Sequence, residues 1–465
     1  MRDSWATFGI DLHLDTAGPR VRAGLETALR NAVRIGRLQP GLRLPSSRTL
    51  AADLGIARNT VADAYGQLVA EGWLTARQGS GTRVAGRPPA AEAATTPATE
   101  VSRLRYDLRP GSPDTSAFPR PDWLAAARRA LNAAPAEALG YSDPRGRPEL
   151  RQALASYLAR ARGVRVTPDR VVICSGFTQG LGLICQVLRT HGATTLAMEA
   201  YGLAAHRDIA TARGLRIDTL PVDGHGAAVD DLDDHGAVVL TPAHQFPLGA
   251  ALAPRRRTRA VDWAADTNGV VIEDDYDGEF RYDRQPVGAM QALAPEHVVY
   301  AGTASKSLAP GLRLGWLVLP AQIVDDIVAA KTLADRNTSS LDQLTLAEFI
   351  ASGRYDRHVR RARLAYRRRR DRLVAALYHH APQVRATGIA AGLHALLELP
   401  TGHDEDDIIT SAARHGLALE GLRAYSTEAG QHPAALVVGY GTPPEHAFTG
   451  AIARLTAVLA NTARR

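Results

Sequence analysis

The chain has 465 residues, 45% hydrophobic and 22% charged, and no apolar run reaches the roughly 18–20 residues that cross a bilayer, which excludes disordered, collagen-like and membrane-spanning classes. Two cysteines, Cys174 and Cys185, build no disulfide framework, and no basic patch leads into an apolar stretch at the start of the sequence, so the expected compartment is the cytoplasm. The formal charge of +7 is uneven: Thr16 to Arg87 holds 11 Arg against 4 Asp and Glu and carries all of it, pointing to a polyanionic partner for a small basic module joined to a neutral one.

The first predicted element is a helix from Val21 to Arg37, where Val21, Leu25, Ala28, Leu29, Ala32 and Val33 recur at helical spacing before Gly36, Pro40 and Gly41 break it. A short helix follows, capped by Ser46 or Ser47 and ended by Gly55. A third runs from about Arg58 to Glu71, and Gly72 to Val84 reads as a two-stranded wing turning at Gly79-Ser80-Gly81. In a helix-turn-helix the second helix enters the major groove with its first residues at the base edges. Arg58 and Asn59 occupy those positions, and arginine can grip guanine bidentately. The alternative is a helical interaction domain with a solvated basic surface. Leu44 to Val84 strongly resembles the winged helix-turn-helix of GntR-type bacterial transcription regulators. That resemblance implies DNA contacts from Arg48, Arg58, Asn59, Thr60, Gln78 and Gly79, with a phosphate contact from Arg43.

Ala85 to Arg103 is rich in Ala, Pro and Thr without periodicity and reads as a flexible linker. The expected domains are therefore 14–84, a linker at 85–105, and 106–465. In the last, apolar runs such as Val171–Cys174, Ala237–Leu240 and Gly269–Ile272 alternate with helical stretches. Such runs suit strands buried on both faces of a mainly parallel sheet, with a ligand at their carboxyl ends.

Only two of the 55 basic side chains are lysines, Lys306 and Lys331, so a lysine within a motif stands out. Lys306 lies among small residues after an apolar strand, where an amine can form a Schiff base with an aldehyde cofactor. Thr303, Ser305 and Arg313 around it supply donors for a phosphate. The alternative is a plain surface loop. Upstream, Glu273-Asp274-Asp275-Tyr276-Asp277 ends another apolar strand. A pyridoxal phosphate site needs a carboxylate for the pyridine nitrogen and a donor for the ring hydroxyl. Alternation on a strand puts Asp274 and Tyr276 on one side and Asp275 on the other, so Asp274 is assigned to the nitrogen and Tyr276 to the hydroxyl, with Asp275 the alternative if the strand has already ended. A divalent cation also suits a carboxylate cluster, but leaves the lysine and the phosphate donors unexplained.

From about Tyr106 onward the chain resembles the fold-type I aminotransferases, on Tyr141-Ser142-Asp143-Pro144-Arg145-Gly146, Ser175-Gly176-Phe177-Thr178-Gln179, Thr241 to Gly249 and the Lys306 segment. With the GntR-like head, the whole chain resembles the MocR-type regulators. The fold expected is a mainly helical winged domain joined to an α/β aminotransferase-like domain. The resemblance implies pyridoxal 5′-phosphate held through Lys306 as an aldimine, with its phosphate on Thr303, Arg313, Thr178 and the turn containing Phe177. It also implies His244 near the ring and Tyr141 reaching the cofactor of a neighbouring subunit in a homodimer.

Two departures bear on function. The late-strand arginine with which amino acid-processing relatives grip a substrate carboxylate aligns with Val437, although Arg423 is nearby in sequence. The aromatic residue that often follows the Glu-Asp-Pro turn aligns with Leu203, with Tyr201 as a substitute. The cofactor site reads as complete and the substrate site does not. The expectation is an operator-binding regulator that responds to pyridoxal phosphate, or to an amine or amino acid acting on it, with little or no transaminase turnover. The alternatives are a working aminotransferase with a DNA-binding head, or a DNA-binding protein whose body binds nothing. The arginines of 360–372 surround one predicted helix and read as solvated, and His379, His380 and His403 as surface residues.

Overall fold

The computed structural model describes residues 21–77, 80–86, 104–232, 235–282, 287–427 and 432–462. The chain divides into two compact units, Met1–Arg103 and Leu104–Arg465. No described helix is long and apolar enough to cross a membrane.

In the first unit, α1 (Val21–Arg34), α2 (Ser47–Leu54) and α3 (Arg58–Ala70) precede an antiparallel pair, β1 (Leu74–Arg77) and β2 (Gly81–Val84). The first helix ends three residues before Arg37, and Gly36 follows with φ 74°. Ser46 caps α2, its hydroxyl accepting from Thr49 N at 3.2 Å, and Gly55 ends it in the left-handed conformation. Leu25, Leu29, Leu50, Val61, Tyr65, Leu68, Leu74 and Val84 form one buried core. Tyr65 Oη donates to Pro45 O at 3.1 Å, tying α3 to the start of α2.

The second unit carries ten described helices. They are α4 (Arg120–Ala133), α5 (Pro148–Arg162), α6 (Phe177–Thr190), α7 (Ala204–Ala212) and α8 (Pro254–Thr267), then α9 (Val324–Ala334), α10 (Ser340–Ala351), α11 (Arg354–His380), α12 (Glu405–Arg414) and α13 (Glu445–Thr462). Its main sheet has seven strands in the spatial order Val171–Cys174, Gly315–Val318, Val298–Thr303, Val270–Asp274, Ala237–Leu240, Thr195–Glu199, Arg216–Leu220. Gly315–Val318 is antiparallel to both neighbours, while the other described pairings are parallel.

Strand alternation sorts side chains between two cores. Val270, Ile272, Val299 and Ala301 pack on the face that holds α6 residues Leu181 and Ile184. Val271 and Val298 pack on the other face with Trp263 of α8, and Tyr300 packs there with Leu154 and Leu158 of α5. The same period carries Asp274 and Thr303 to the α6 face at the carboxyl edge and leaves Asp275 on the α5 face. Arg385–Thr387, Ala395–Glu398 and Ala435–Val438 form a smaller antiparallel sheet, whose residues share a core with α11, α12 and α13. The arginines of α11 are mostly exposed, but Arg369 is buried, with Nη2 2.9 Å from both Asp114 Oδ2 and Glu445 Oε2, a departure from the solvated helix expected. Its charge is satisfied by carboxylates that lie 255 and 76 residues away in sequence.

Candidate functional site

In the small unit Arg43, Arg48, Arg58 and Asn59 are exposed and Thr60 is half-buried. Arg58 opens α3, whose exposed first turn also carries Asn59. Arg43 pairs through its backbone with Arg83, which places it beside the wing. Gln78 and Gly79 lie outside the described residues.

In the large unit a cavity of about 270 Å³ opens at the carboxyl edge of the main sheet. Phe177, Thr178, Asp274, Tyr276, Thr303, Ser305, Lys306 and Arg313 all line it. Register brings most of these together: Gly315 pairs with Thr303 on one side and Cys174 on the other. The loop holding Arg313 therefore meets the turn into α6. Gly176 allows that approach, with φ 85° and the Arg313 guanidinium 3.3 Å from where a Cβ would stand. Arg313 itself is held at φ 52°, a conformation a non-glycine residue keeps only where its surroundings impose it, and its Nη2 donates to Ser175 O. Thr303 Oγ1 lies 2.8 Å from Ser305 Oγ and accepts from Ser305 N at 3.1 Å. Hydroxyls, a guanidinium and the N-terminus of α6 thus gather at one end of the cavity, a donor set suited to a phosphate.

Asp274, also in the cavity wall, is buried, and its Oδ1 has no hydrogen-bond partner among the described residues. Burial, reinforced by Asp275, raises its pKa well above the ordinary carboxylate value, and Lys306 acts in the opposite direction. An orphaned buried acceptor in a cavity wall is costly unless a donor arrives, and a protonated ring nitrogen is such a donor. Burial lowers the Lys306 amine, against the pull of Asp274 and Asp277, and favours the neutral, nucleophilic form. The residues present fit pyridoxal phosphate.

Asp275 has a different task. It takes Arg162 Nε at 2.7 Å and Nη2 at 3.0 Å, and Tyr300 Oη at 2.7 Å, all buried. His244 is buried outside the cavity lining, with Nδ1 2.8 Å from Asp277 Oδ2 and 3.1 Å from Tyr276 Oη. Burial, then Asp277, raises the Tyr276 hydroxyl, so it stays protonated and available as a donor. His244, Asp277 and His394 offer ligand atoms within 4.8 Å of one another. The His244–Asp277 bond, the Tyr276 Oη bond to His244, and the 3.2 Å contact of His394 Nε2 with Pro247 O account for the cluster without a cation.

Tyr141 does not line this cavity: it is 82% exposed, with the Arg336 guanidinium 4.4 Å from its ring centre. Val437 is fully buried in an apolar cluster with Leu396, Leu422 and Tyr425, to which Tyr201 and Phe246 add. Arg423 is exposed, paired with Asp406 at 2.7 Å and Asp404 at 3.3 Å, and does not reach the cavity wall. Leu203 and Tyr201 both line the cavity. Sequence reasoning passed over Glu199, His206, Arg207, His394 and Tyr425, which also line it. The buried Glu199 carboxylate receives Thr241 Oγ1 at 2.6 Å and Gln245 Nε2 at 3.1 Å. Of these only Glu199 carried a signal, its place at the end of the strand Thr195–Glu199.

Comparison with known proteins assigns residues 22–84 to the bacterial regulatory proteins of the gntR family and residues 108–400 to aminotransferase class I and II. Over 438 residues the chain is 32% identical to the HTH-type pyridoxine biosynthesis transcriptional regulator PdxR of Corynebacterium glutamicum, covering 93% of this chain and 94% of that one. It is 31% identical to the HTH-type transcriptional regulator TauR of Rhodobacter capsulatus, covering 94% and 96%. Similarity to the probable rhizopine catabolism regulatory protein MocR of Rhizobium meliloti is 32%, covering 76% of each. Among solved structures, a kynurenine aminotransferase of Pyrococcus horikoshii, in a complex that includes PMP, superposes with a TM-score of 0.69 at 25% identity, covering 78% of this chain and 92% of that one.

Proposed function

Because the chain belongs to the MocR-type subfamily of GntR HTH-type transcription regulators, with an aminotransferase class I and II domain, we propose that its large unit binds pyridoxal phosphate through Lys306 and that occupancy controls operator binding by the winged unit. One observation carries this reading: the cavity keeps the lysine, the orphaned Asp274 carboxylate and the phosphate donors, while the position of the substrate arginine is the buried Val437. When bound, the cofactor supplies an electrophilic carbon and an electron sink. The chain's own residues do the holding. Asp274 accepts from the ring nitrogen, Tyr276 donates to the ring hydroxyl with His244 and Asp277 behind it, and Thr178, Thr303, Ser305 and Arg313 take the phosphate.

Without a bidentate grip, an amino acid carboxylate loses both orientation and a charge-assisted pair. Pyridoxal phosphate itself is therefore the effector this site favours, and control of vitamin B6 supply the regulon it suits, in line with the pyridoxine biosynthesis regulator PdxR that the chain resembles. An amine or amino acid reacting at the bound cofactor is the second form of the same reading. Any such effector must bind two conformations with different affinity to act. The unit also works as a homodimer: Leu139, Tyr141, Leu333 and Leu341 are exposed apolar side chains, and Tyr141, which misses its own cavity, contributes to its partner's.

A titration tests the body and separates it from the enzyme reading. Pyridoxal phosphate should raise a visible band near the roughly 420 nm the family resemblance implies, absent in Lys306→Ala. A broad amino acid panel should leave the band without conversion to the amine form of the cofactor. Turnover with an amino acid and a keto acid would favour an aminotransferase carrying a DNA-binding head, and no band at all a body that binds nothing.

A further inference from the structure

Lys306 has a chemical reason to be a lysine; Lys331, the only other lysine among 55 basic side chains, lies outside the cofactor cavity. It sits on α9 with its side chain fully buried. Its Nζ lies 2.8 and 3.0 Å from the two oxygens of Asp335 and 3.1 Å from Thr338 Oγ1. A compact ammonium suits these three close acceptors better than the planar fork of an arginine. The bonds continue outward. Asp335 Oδ2 accepts from Gln179 Nε2 at 2.7 Å, and Gln179 Oε1 accepts from Ser175 N at 2.7 Å. Ser175 O in turn accepts from Arg313. An unbroken set of hydrogen bonds therefore joins a buried cation to the turn and the guanidinium that face the phosphate end of the cavity.

We propose that Lys331, acting through Asp335 and Gln179, positions the Ser175–Thr178 turn and Arg313 for a phosphate monoester and so sets the preference of the cavity for the phosphorylated over the unphosphorylated cofactor. The inference rests on the cofactor reading above. Lys331 lines no part of the cavity, so it is a positioning residue. Its second effect is electrostatic: Asp335 is an anion one residue removed from the phosphate turn, and Lys331 cancels the repulsion it would exert on a dianion.

The test titrates the full chain with pyridoxal phosphate and with pyridoxal, following absorbance. Wild type should favour the phosphorylated form. Lys331→Met should weaken pyridoxal phosphate about tenfold, as loss of a supporting partner behind a ligand residue typically does, and leave pyridoxal within about twofold. Adding Asp335→Asn should restore part of the loss by removing the uncompensated charge. Gln179→Met, which leaves the buried pair intact, should reproduce the selective loss and covers the case in which Lys331→Met does not fold. Equal weakening of both ligands, or none, in whichever of the two variants folds would overturn the inference while leaving the cofactor reading intact. A wild-type chain that binds neither form overturns both.

Discussion

Asp274 and Asp275 are neighbours in sequence and both buried, yet their replacement by asparagine should have opposite effects. Asp274 presents an unpartnered oxygen to the cavity. Asp274→Asn removes a carboxylate that folding desolvates without compensation, so the cofactor-free protein should keep or raise its melting temperature. Linkage gives the sign of the pH effect. The carboxyl binds its proton more tightly folded than unfolded, so wild-type stability falls as pH rises above the ordinary carboxylate value, and the variant loses that slope. The same substitution removes a charge-assisted bond to the ring nitrogen, about 1.5–3 kcal/mol, or roughly 10–100-fold in pyridoxal phosphate affinity. Asp275 instead meets Arg162 and Tyr300 at 2.7–3.0 Å, with 4% and 2% of the Arg162 and Asp275 side chains exposed. Asp275→Asn strands a buried guanidinium at a cost of about 3–5 kcal/mol, on the order of 5 °C in melting temperature for a unit this large. Thermal melts without cofactor and absorbance titrations with it measure both. An Asp274→Asn protein that melts lower and binds as before, or an Asp275→Asn protein that is stable and binds poorly, would refute the assignment.

Three further outcomes follow from the geometry. The His206 ring lies tilted against Phe177, 4.8 Å between ring centres, and burial, then Lys306, lowers its pKa from 6.5 to about 4. Its contribution, roughly 1–3 kcal/mol, is present above pH 6.5 and lost as pH falls toward 4, so pH-dependent melts of His206→Phe should lack that part of the acid destabilisation. Ser46→Ala removes the cap of α2 and should cost the winged unit about 1 kcal/mol, read by denaturant unfolding of that unit's transition. Arg58→Ala should weaken specific operator binding by about 1–3 kcal/mol and relax preference at one base position, whereas Arg43→Ala should weaken binding to all sequences alike and reduce the salt slope, both measured by fluorescence anisotropy.

Local signals made much of this legible. Strand periodicity separated Asp274 and Tyr276 from Asp275, and the polar cap and glycine bracketing α2 are readable in Ser46 and Gly55. What remained hidden depends on distant partners. Nothing near Asp275 announces Arg162, 113 residues earlier, or near His244 announces Asp277, 33 residues later. Lys331 stood out by composition alone, since the Asp335–Gln179 bond that links it to the phosphate turn spans 156 residues. His394 and Tyr425 reach the cavity from segments around the smaller sheet, whose placement over the main sheet no local pattern encodes. Tyr141 was readable as a motif, but a single chain does not bring it to its own cavity.

The central claim is that cofactor occupancy of the large unit controls DNA binding by the small one. Gel retardation of the DNA upstream of its own gene, at fixed salt because phosphate contacts are salt-dependent, tests it most directly with wild type and Lys306→Ala, each with and without pyridoxal phosphate. Wild type should bind specifically with a strength that changes with pyridoxal phosphate, and Lys306→Ala should bind with a strength that does not. Specific binding that is indifferent to the cofactor in both proteins would contradict it.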